Sequence, residues 1–297
     1  MKLNIISTIK SISPKSVLSL IKYRVSIAVS FTAVTGYIVY TGHVDWKVLL
    51  VALGVFFFAS GASGLNEVQE HKYDALMNRT KNRPIPTGQL SPHLAFIISF
   101  WFIKLGFSTL FLAFGIVPAL LGLLNIFWYN GVYTYLKRVS SFAVVPGSLV
   151  GAIPAFIGWT AAGGRILDPT IVSIAFFLFI WQIPHFWLLM LKYGEEYELA
   201  GFRTINQAIQ TANLKRIIFT WVVATSVISI AIPLYLTHLS WTFFALVFIL
   251  NILFIGLFTV LAFGKQTEMN LKKSFVGINI YMMVFMLLLI IFHVYMA

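Results

Sequence analysis

"LNEVQEHKYDALMNRTKNRPIPTG", Leu65–Gly88, gathers three acids, four Lys or Arg, one histidine and two prolines. The chain around it is 59% hydrophobic and only 10% charged over 297 residues. A soluble domain carries about 25% charge, so this chain has too little polar surface to cover a water-soluble globule. It reads as an integral membrane protein, with lipid as its solvent. Within Leu65–Gly88, Asn66, Glu70 and Asp74 recur at i, i+4 and i+8. On a helix these stack along one face and drift by about 80° over the set.

Immediately before this stretch the sequence is apolar for the length of a membrane span. About 20 apolar residues cross a bilayer, and nine stretches meet that requirement: residues 17–40, 47–66, 94–115, 119–136, 142–162, 171–191, 216–236, 241–263 and 275–296. The expected fold is therefore all-α, a polytopic membrane bundle of about nine transmembrane helices. Ser91-Pro92 predicts an N-cap and first turn for the third span. Gly115 and Pro118 predict a tight turn before the fourth. Residues 1–16 read as a cytoplasmic N-terminal segment without the features of a signal peptide. Residues 17–297 read as a single transmembrane domain.

The charges orient the bundle. With the N-terminus inside, only Lys47 and Arg165 fall in outer loops and Lys104 falls within a span; every other Lys and Arg lies on the inner side. That asymmetry predicts a cytoplasmic N-terminus and an outer C-terminus. It also accounts for the net charge of +12 without nucleic acid, for which no readable binding module is present. No cysteine is present, which excludes disulfides and thiolate metal sites. His43, His71, His93, His238 and His293 read as surface or interfacial residues. Lys104 is an intramembrane charge with no assigned role. Ser60–Gly64, "SGASG", and Gly147-x-x-x-Gly151 predict close helix packing.

The orientation rule does not ask for acids, yet the inner side holds seven, and six fall in two clusters: Glu67, Glu70 and Asp74, then Glu195, Glu196 and Glu198. Two carboxylates and an amide on one helix face suit a hard cation, in particular Mg²⁺, which binds through carboxylates and substrate phosphates. Arg79, Lys81 and Arg83 follow the first cluster, and arginine's fork suits phosphate oxygens. Lys192, Glu195 and Glu196, at i, i+3 and i+4, stand where the sixth span ends. Between the clusters, Asn130, Tyr133 or Thr134, and Lys137 share a helix face. A solvated loop, a solvated helix end or an interfacial Tyr belt would show the same residue types. Two acid groups at one membrane face nevertheless suit a substrate with a diphosphate head and a hydrocarbon tail.

These residues resemble the UbiA superfamily of intramembrane prenyltransferases. Asn66, Glu70 and Asp74 stand where that family has Asn-x-x-x-Asp-x-x-x-Asp, with Glu in the first acidic place. The continuation through Met77, Arg79, Thr80, Arg83 and Pro84 is similar to the heme O synthase branch, whose pattern reads Met-x-Arg-Thr-x-x-Arg-Pro. "YTYLKR", "WQIPHFW" and "EEYELAG" are similar to further motifs of that branch, again with Glu at 195 and 196 where Asp is usual. The resemblance runs from about Lys22 to Phe202 and is weak over the last three spans.

The resemblance implies nine helices around a central cavity. It implies Mg²⁺ held by Asn66, Glu70, Asp74, Glu195 and Glu196, and a diphosphate held by Arg79, Arg83, Tyr133, Lys137 and Lys192. It implies transfer of a farnesyl group from farnesyl diphosphate to a vinyl group of heme B, in the cytoplasmic membrane, with a terminal oxidase as a possible receiver of the product. His185, a polar ring inside the sixth span, is the expected heme contact, with Trp181 and Trp187 lining the porphyrin pocket. Prenylation of a quinone precursor such as 4-hydroxybenzoate is the alternative enzyme. A transporter of an amphipathic anion is the alternative of another class.

Overall fold

The computed structural model describes residues 13–236, 241–264 and 268–296, with the side chains of Glu268 and Met296 left aside. Lys2, Lys10, Lys265 and His238 lie outside the described residues, as do residues 1–12 of the expected N-terminal segment. All regular elements among the described residues are helical.

Ser13 precedes a short first helix, α1 (Pro14–Leu20), with proline in its opening turn. Here the missing N–H is harmless and the fixed φ is favourable. After a break at Ile21 and Lys22, α2 runs from Tyr23 to Thr41 and ends on Gly42 at φ 71°. Next come α3 (Lys47–Asp74) and α4 (Pro92–Phe114). Ser91 caps α4 as expected, its hydroxyl accepting from the Leu94 N–H at 3.2 Å. Gly115, at φ 86°, ends α4 and admits α5 (Ile116–Ile126) at once, the turn that Gly115 and Pro118 predict. A π-helix (Phe127–Tyr133) carries that span into α6 (Thr134–Val139).

The second half holds α7 (Val144–Gly147), α8 (Leu149–Ala161) and α9 (Pro169–Leu199). It continues with α10 (Ile205–Ala208), α11 (Thr211–Ala231) extended by a 3₁₀ turn (Ile232–Tyr235), α12 (Trp241–Phe263) and α13 (Glu268–Met296). Among the described residues, eight helical stretches are long and apolar enough to cross a membrane, and nine if α1 and α2, bent by 50°, form one span. The nine expected spans all coincide with these. The largest boundary differences are at α3 and α9, which run on as helix through the two acid clusters instead of stopping at residues 66 and 191.

The helices close a ring. In order α2, α3, α4, α5, α8, α9, α11, α12 and α13 each pack on the next, and α13 returns to α2. Outward faces stay apolar: Phe248, Ile249, Ile252 and Leu253 of α12 are all exposed, as suits contact with lipid. The small residues act as expected. A Cβ at Gly61 would lie 2.7 Å from the Ser99 carbonyl, so glycine is what lets α3 and α4 approach. One polar cluster inside the second half is paired: Asn251 donates to Ser229 at 2.9 Å and accepts from the Tyr281 hydroxyl at 2.9 Å. These bonds tie α11, α12 and α13 together where no water competes. Lys104 faces outward on α4, its ammonium 4.7 Å from the centre of the Trp101 ring.

Candidate active site

The last turns of α3 carry four buried polar residues, Asn66, Glu67, Glu70 and Asp74, each at most 4% exposed. Asn66 and Glu70 face the span from Ile116 to Val139, which runs parallel to α3. Asn130 donates to the Ala62 carbonyl at 3.1 Å, Asn66 donates to the Thr134 hydroxyl at 3.2 Å, and Lys137 pairs with Glu70 at 2.7 Å. The result is a ladder of rungs about one turn apart. The π-helix lies where the ladder starts, and such bulges commonly serve to re-aim side chains at functional sites. Its wider turn sets Asn130, Thr134 and Lys137 toward α3 in register. Tyr133 lies under Lys137, whose ammonium is 5.5 Å from the ring centre. Gly147 makes room for that ring, since a Cβ there would strike it. Of the two residues the sequence left open, Thr134 bonds to α3, and the Tyr133 ring lies beside Lys137.

The loop after α3 folds back over this face. Arg83 pairs with Asp74 at 2.6 Å, and the Thr80 hydroxyl donates to the Asp74 carbonyl at 2.9 Å. Burial opposes the Arg83 charge, but Asp74 beside it outweighs that and holds the guanidinium above its ordinary value. Glu67 accepts the Ile85 N–H at 3.2 Å, so a buried carboxylate fixes the Arg83-Pro84-Ile85 turn.

The second acid cluster meets the same loop from α9. Glu196 accepts the Arg79 backbone N–H at 3.1 Å, and the Arg79 guanidinium donates to the Tyr197 hydroxyl at 2.5 Å. Tyr73 and Tyr197 pack on Phe202 with ring centres 5.0 and 5.4 Å away, closing an apolar latch with Met77 and Ala200. Asp74 and Glu196 therefore both grip residues 79–83, at one end of the bundle. Lys192 and Glu195 lie on the exposed side of α9 and form no ion pair with a described residue; only Tyr193 lies beneath the Lys192 ammonium, at 5.1 Å.

The expected ligand set is not preassembled as a cage. Among the described residues no three His, Asp or Glu side chains group so as to hold a metal ion, because Glu70 and Asp74 each face a cation instead. The donor chemistry still fits Mg²⁺. One oxygen of Glu70 and one of Glu67 are buried without a hydrogen-bond partner, and such orphaned carboxylate oxygens are what a hard cation satisfies. Mg²⁺ ordinarily completes its shell with water and substrate phosphates, so an all-protein cage is not required.

His185 sits about 16 Å along α9 from Glu196, at 1.5 Å per residue. Its ring stacks on Trp181 at 5.0 Å and faces Phe275 at 5.1 Å, and its Nδ1 is buried without a partner. Trp181 donates to the Ile278 carbonyl at 2.9 Å, which ties α9 to α13. Trp187 turns the other way, edge-on to Trp221 at 6.2 Å, with its N–H unpartnered. His185 and Trp181 thus share a face that Trp187 does not.

Glu67 and Tyr197 belong to this end of the bundle, as does Lys22, beside Leu20, which packs on Ile85 and Val68, but they stood out less in the sequence. Glu67, Glu70 and Asp74 recur at i, i+3 and i+7, a helical-face spacing that would have found Glu67. Nothing local marks Tyr197 or Lys22, because their roles depend on segments remote in sequence.

A model described as the UbiA prenyltransferase family matches residues 28–294. Among similar proteins, the protoheme IX farnesyltransferase of Nitratidesulfovibrio vulgaris (strain DP4) is 35% identical over 214 residues, covering 72% of this chain and 75% of its own. That of Geobacter sulfurreducens is 40% identical over 184 residues, covering 62% and 68%. That of Neorickettsia sennetsu is 33% identical over 256 residues, covering 84% of each chain. The fold is shared with solved structures. A digeranylgeranylglyceryl phosphate synthase superposes with a TM-score of 0.74 at 19% identity, covering 94% of this chain and 98% of its own. A UbiA homolog from Archaeoglobus fulgidus bound to DMAPP and Mg²⁺ gives 0.69 at 13% identity, covering 95% and 100%. From the extent of the family match and the identity to these relatives, the chain belongs to the UbiA prenyltransferase family.

Proposed function

We propose that this prenyltransferase moves a farnesyl group from farnesyl diphosphate to a vinyl group of heme B, with Mg²⁺, giving heme O and diphosphate. The observation that carries the reading is the buried face of Asn66, Glu70 and Asp74, matched rung by rung to Thr134, Lys137 and Arg83. The choice of heme as acceptor draws support from relatives named protoheme IX farnesyltransferase. We place residues 17–297 in the cytoplasmic membrane as one domain, with this end of the bundle facing the cytoplasm. A heme-receiving terminal oxidase would lie downstream.

Asn66, Glu70 and Asp74, with Glu196 across the loop, would hold Mg²⁺. Bound there, the ion supplies positive charge that stabilises the leaving diphosphate. Arg79, Arg83 and Lys137 bind the diphosphate oxygens and share that task as its negative charge develops, and the Tyr133 hydroxyl orients it. Glu195 and Lys192, on the exposed side, attract ions to the entrance. The C–O bond to farnesyl breaks, the allylic carbon bonds to the vinyl carbon, and water adds to the adjoining carbon with loss of a proton. Apolar walls delay that water until the carbon–carbon bond has formed. His185 holds the heme through its unpartnered nitrogen, with Trp181 stacked against it and Trp187 supporting the pocket from behind.

The test uses purified full-length protein with Mg²⁺, farnesyl diphosphate and heme B. Diphosphate release and extractable heme O, in equal amounts, are the expected result. Absence of diphosphate release sinks the reading, and prenylation of 4-hydroxybenzoate in place of heme moves the chain to the quinone branch.

A further inference from the structure

Lys22 is the one non-glycine residue with positive φ among the described residues, at φ 46° and ψ 51°. It occupies the break where α1 and α2 meet at 50°. In this region the Cβ of an L-residue crowds the backbone, so glycine or asparagine adopts it more readily than lysine. The break is firmly built: the Lys22 N–H donates to the Ser19 carbonyl at 3.1 Å, and the Ser26 hydroxyl donates to the Ile21 carbonyl at 2.9 Å. Leu20 and Ile21 are buried beside it. A strained residue on a rigid base at the rim of a site points to a side chain the site uses.

The charge environment points the same way. Leu20, two residues before Lys22, packs in one apolar cluster with Ile85 and Val68, so the break lies against the end of α3 and the loop after it, where Glu67, Asp74 and Arg83 meet. Burial disfavours the Lys22 charge there, and Arg83, Asp74, Glu67 and Lys137 lie close enough to act on it. Three acids and three bases meet there. Glu70 is taken by Lys137 and Asp74 by Arg83. Lys22 is half-buried and makes no side-chain hydrogen bond or ion pair with a described residue. A partly desolvated ammonium without a partner is costly, and an incoming oxyanion relieves that cost without first breaking an ion pair. Lys137 and Arg83 have no such freedom.

We propose that Lys22 is an oxyanion-binding residue of this site, contacting an anionic group of a substrate. The two sources of that chemistry are a phosphate oxygen of the prenyl diphosphate and a propionate carboxylate of heme. The choice of these substrates rests on the function proposed above, so the test reads binding as well as turnover.

Full-length Lys22→Gly, Lys22→Met and Lys22→Arg proteins in lipid nanodiscs are titrated with inorganic pyrophosphate plus Mg²⁺, with heme B, and with heme B dimethyl ester. Lys22→Gly removes the ammonium while easing the backbone, so it separates the two roles. The expected result is a Lys22→Gly protein at least as heat-stable as the parent that binds one probe about tenfold more weakly, a factor of ten in Kd. Lys22→Arg retains most of the parent affinity. Loss confined to pyrophosphate assigns the donor. Loss confined to heme B, absent with the dimethyl ester, assigns the acceptor's carboxylate. Parent-like binding of every probe by Lys22→Gly overturns the proposal. So does equal loss of all probes without rescue by Lys22→Arg, and so does a parent that binds none of them. If the parent does not farnesylate heme yet Lys22→Gly loses pyrophosphate affinity, the function falls and the role of Lys22 stands.

Discussion

The two acid clusters each hold three carboxylic acids and behave differently. Glu67, Glu70 and Asp74 are buried, and each is bonded to a partner on the neighbouring span or the loop after α3. In the second cluster, Glu195 is exposed, and Glu196 reaches the loop only through the Arg79 backbone. The difference comes from what lies opposite. The end of α3 is covered by a parallel helix and a folded-back loop, whereas the end of α9 leaves Lys192, Glu195 and Leu199 exposed on one side. A buried carboxylate must be compensated and so becomes rigidly placed. An exposed one is free to remain mobile. The first cluster is thus a prebuilt half of a site, and the second is a closing contact.

Substitutions break or sharpen this contrast, beginning with the largest expected effect. Asp74→Asn lowers kcat by about 10³-fold, on the scale of losing a preorganised electrostatic contact. Helical content by circular dichroism stays at the parent level, because the amide still accepts from Arg83. Glu196→Gln lowers kcat by about 10²-fold, since the loop bond is weakened but not lost. Equal losses in these two variants remove the distinction between the clusters.

Lys137→Met leaves Glu70 buried and uncompensated, a change that costs about 3–5 kcal/mol when a buried pair is broken. Thermal unfolding in detergent should show it as a lowered midpoint. Pairing it with Glu70→Gln should recover most of that loss. A double variant no more stable than Lys137→Met would mean that the ladder does not act through this pair. His185→Ala weakens heme binding about tenfold, or about 1.4 kcal/mol, and leaves pyrophosphate affinity intact. Parallel loss of both ligands marks the histidine as a packing residue. Glu195→Gln changes kcat by less than about twofold, within the range of surface substitutions; a loss as large as that of Glu196→Gln would bring the exposed side of α9 into the site.

The local pattern of the sequence already carried the helices, their membrane length and the stacking of Asn66, Glu70 and Asp74. Each depends on residues within a few turns of one another, through hydropathy over about 20 positions and the 3.6-residue period. Ser91-Pro92 and Gly115 set their helix ends for the same reason. Only the tertiary structure decided which cation meets which acid, that Glu196 rather than Glu195 turns toward the loop, and that Glu67 holds the Ile85 N–H. Those choices rest on contacts between segments as much as 117 positions apart, as from Arg79 to Glu196. They are made where burial forces every charge to find a partner, a requirement no single stretch of chain can express.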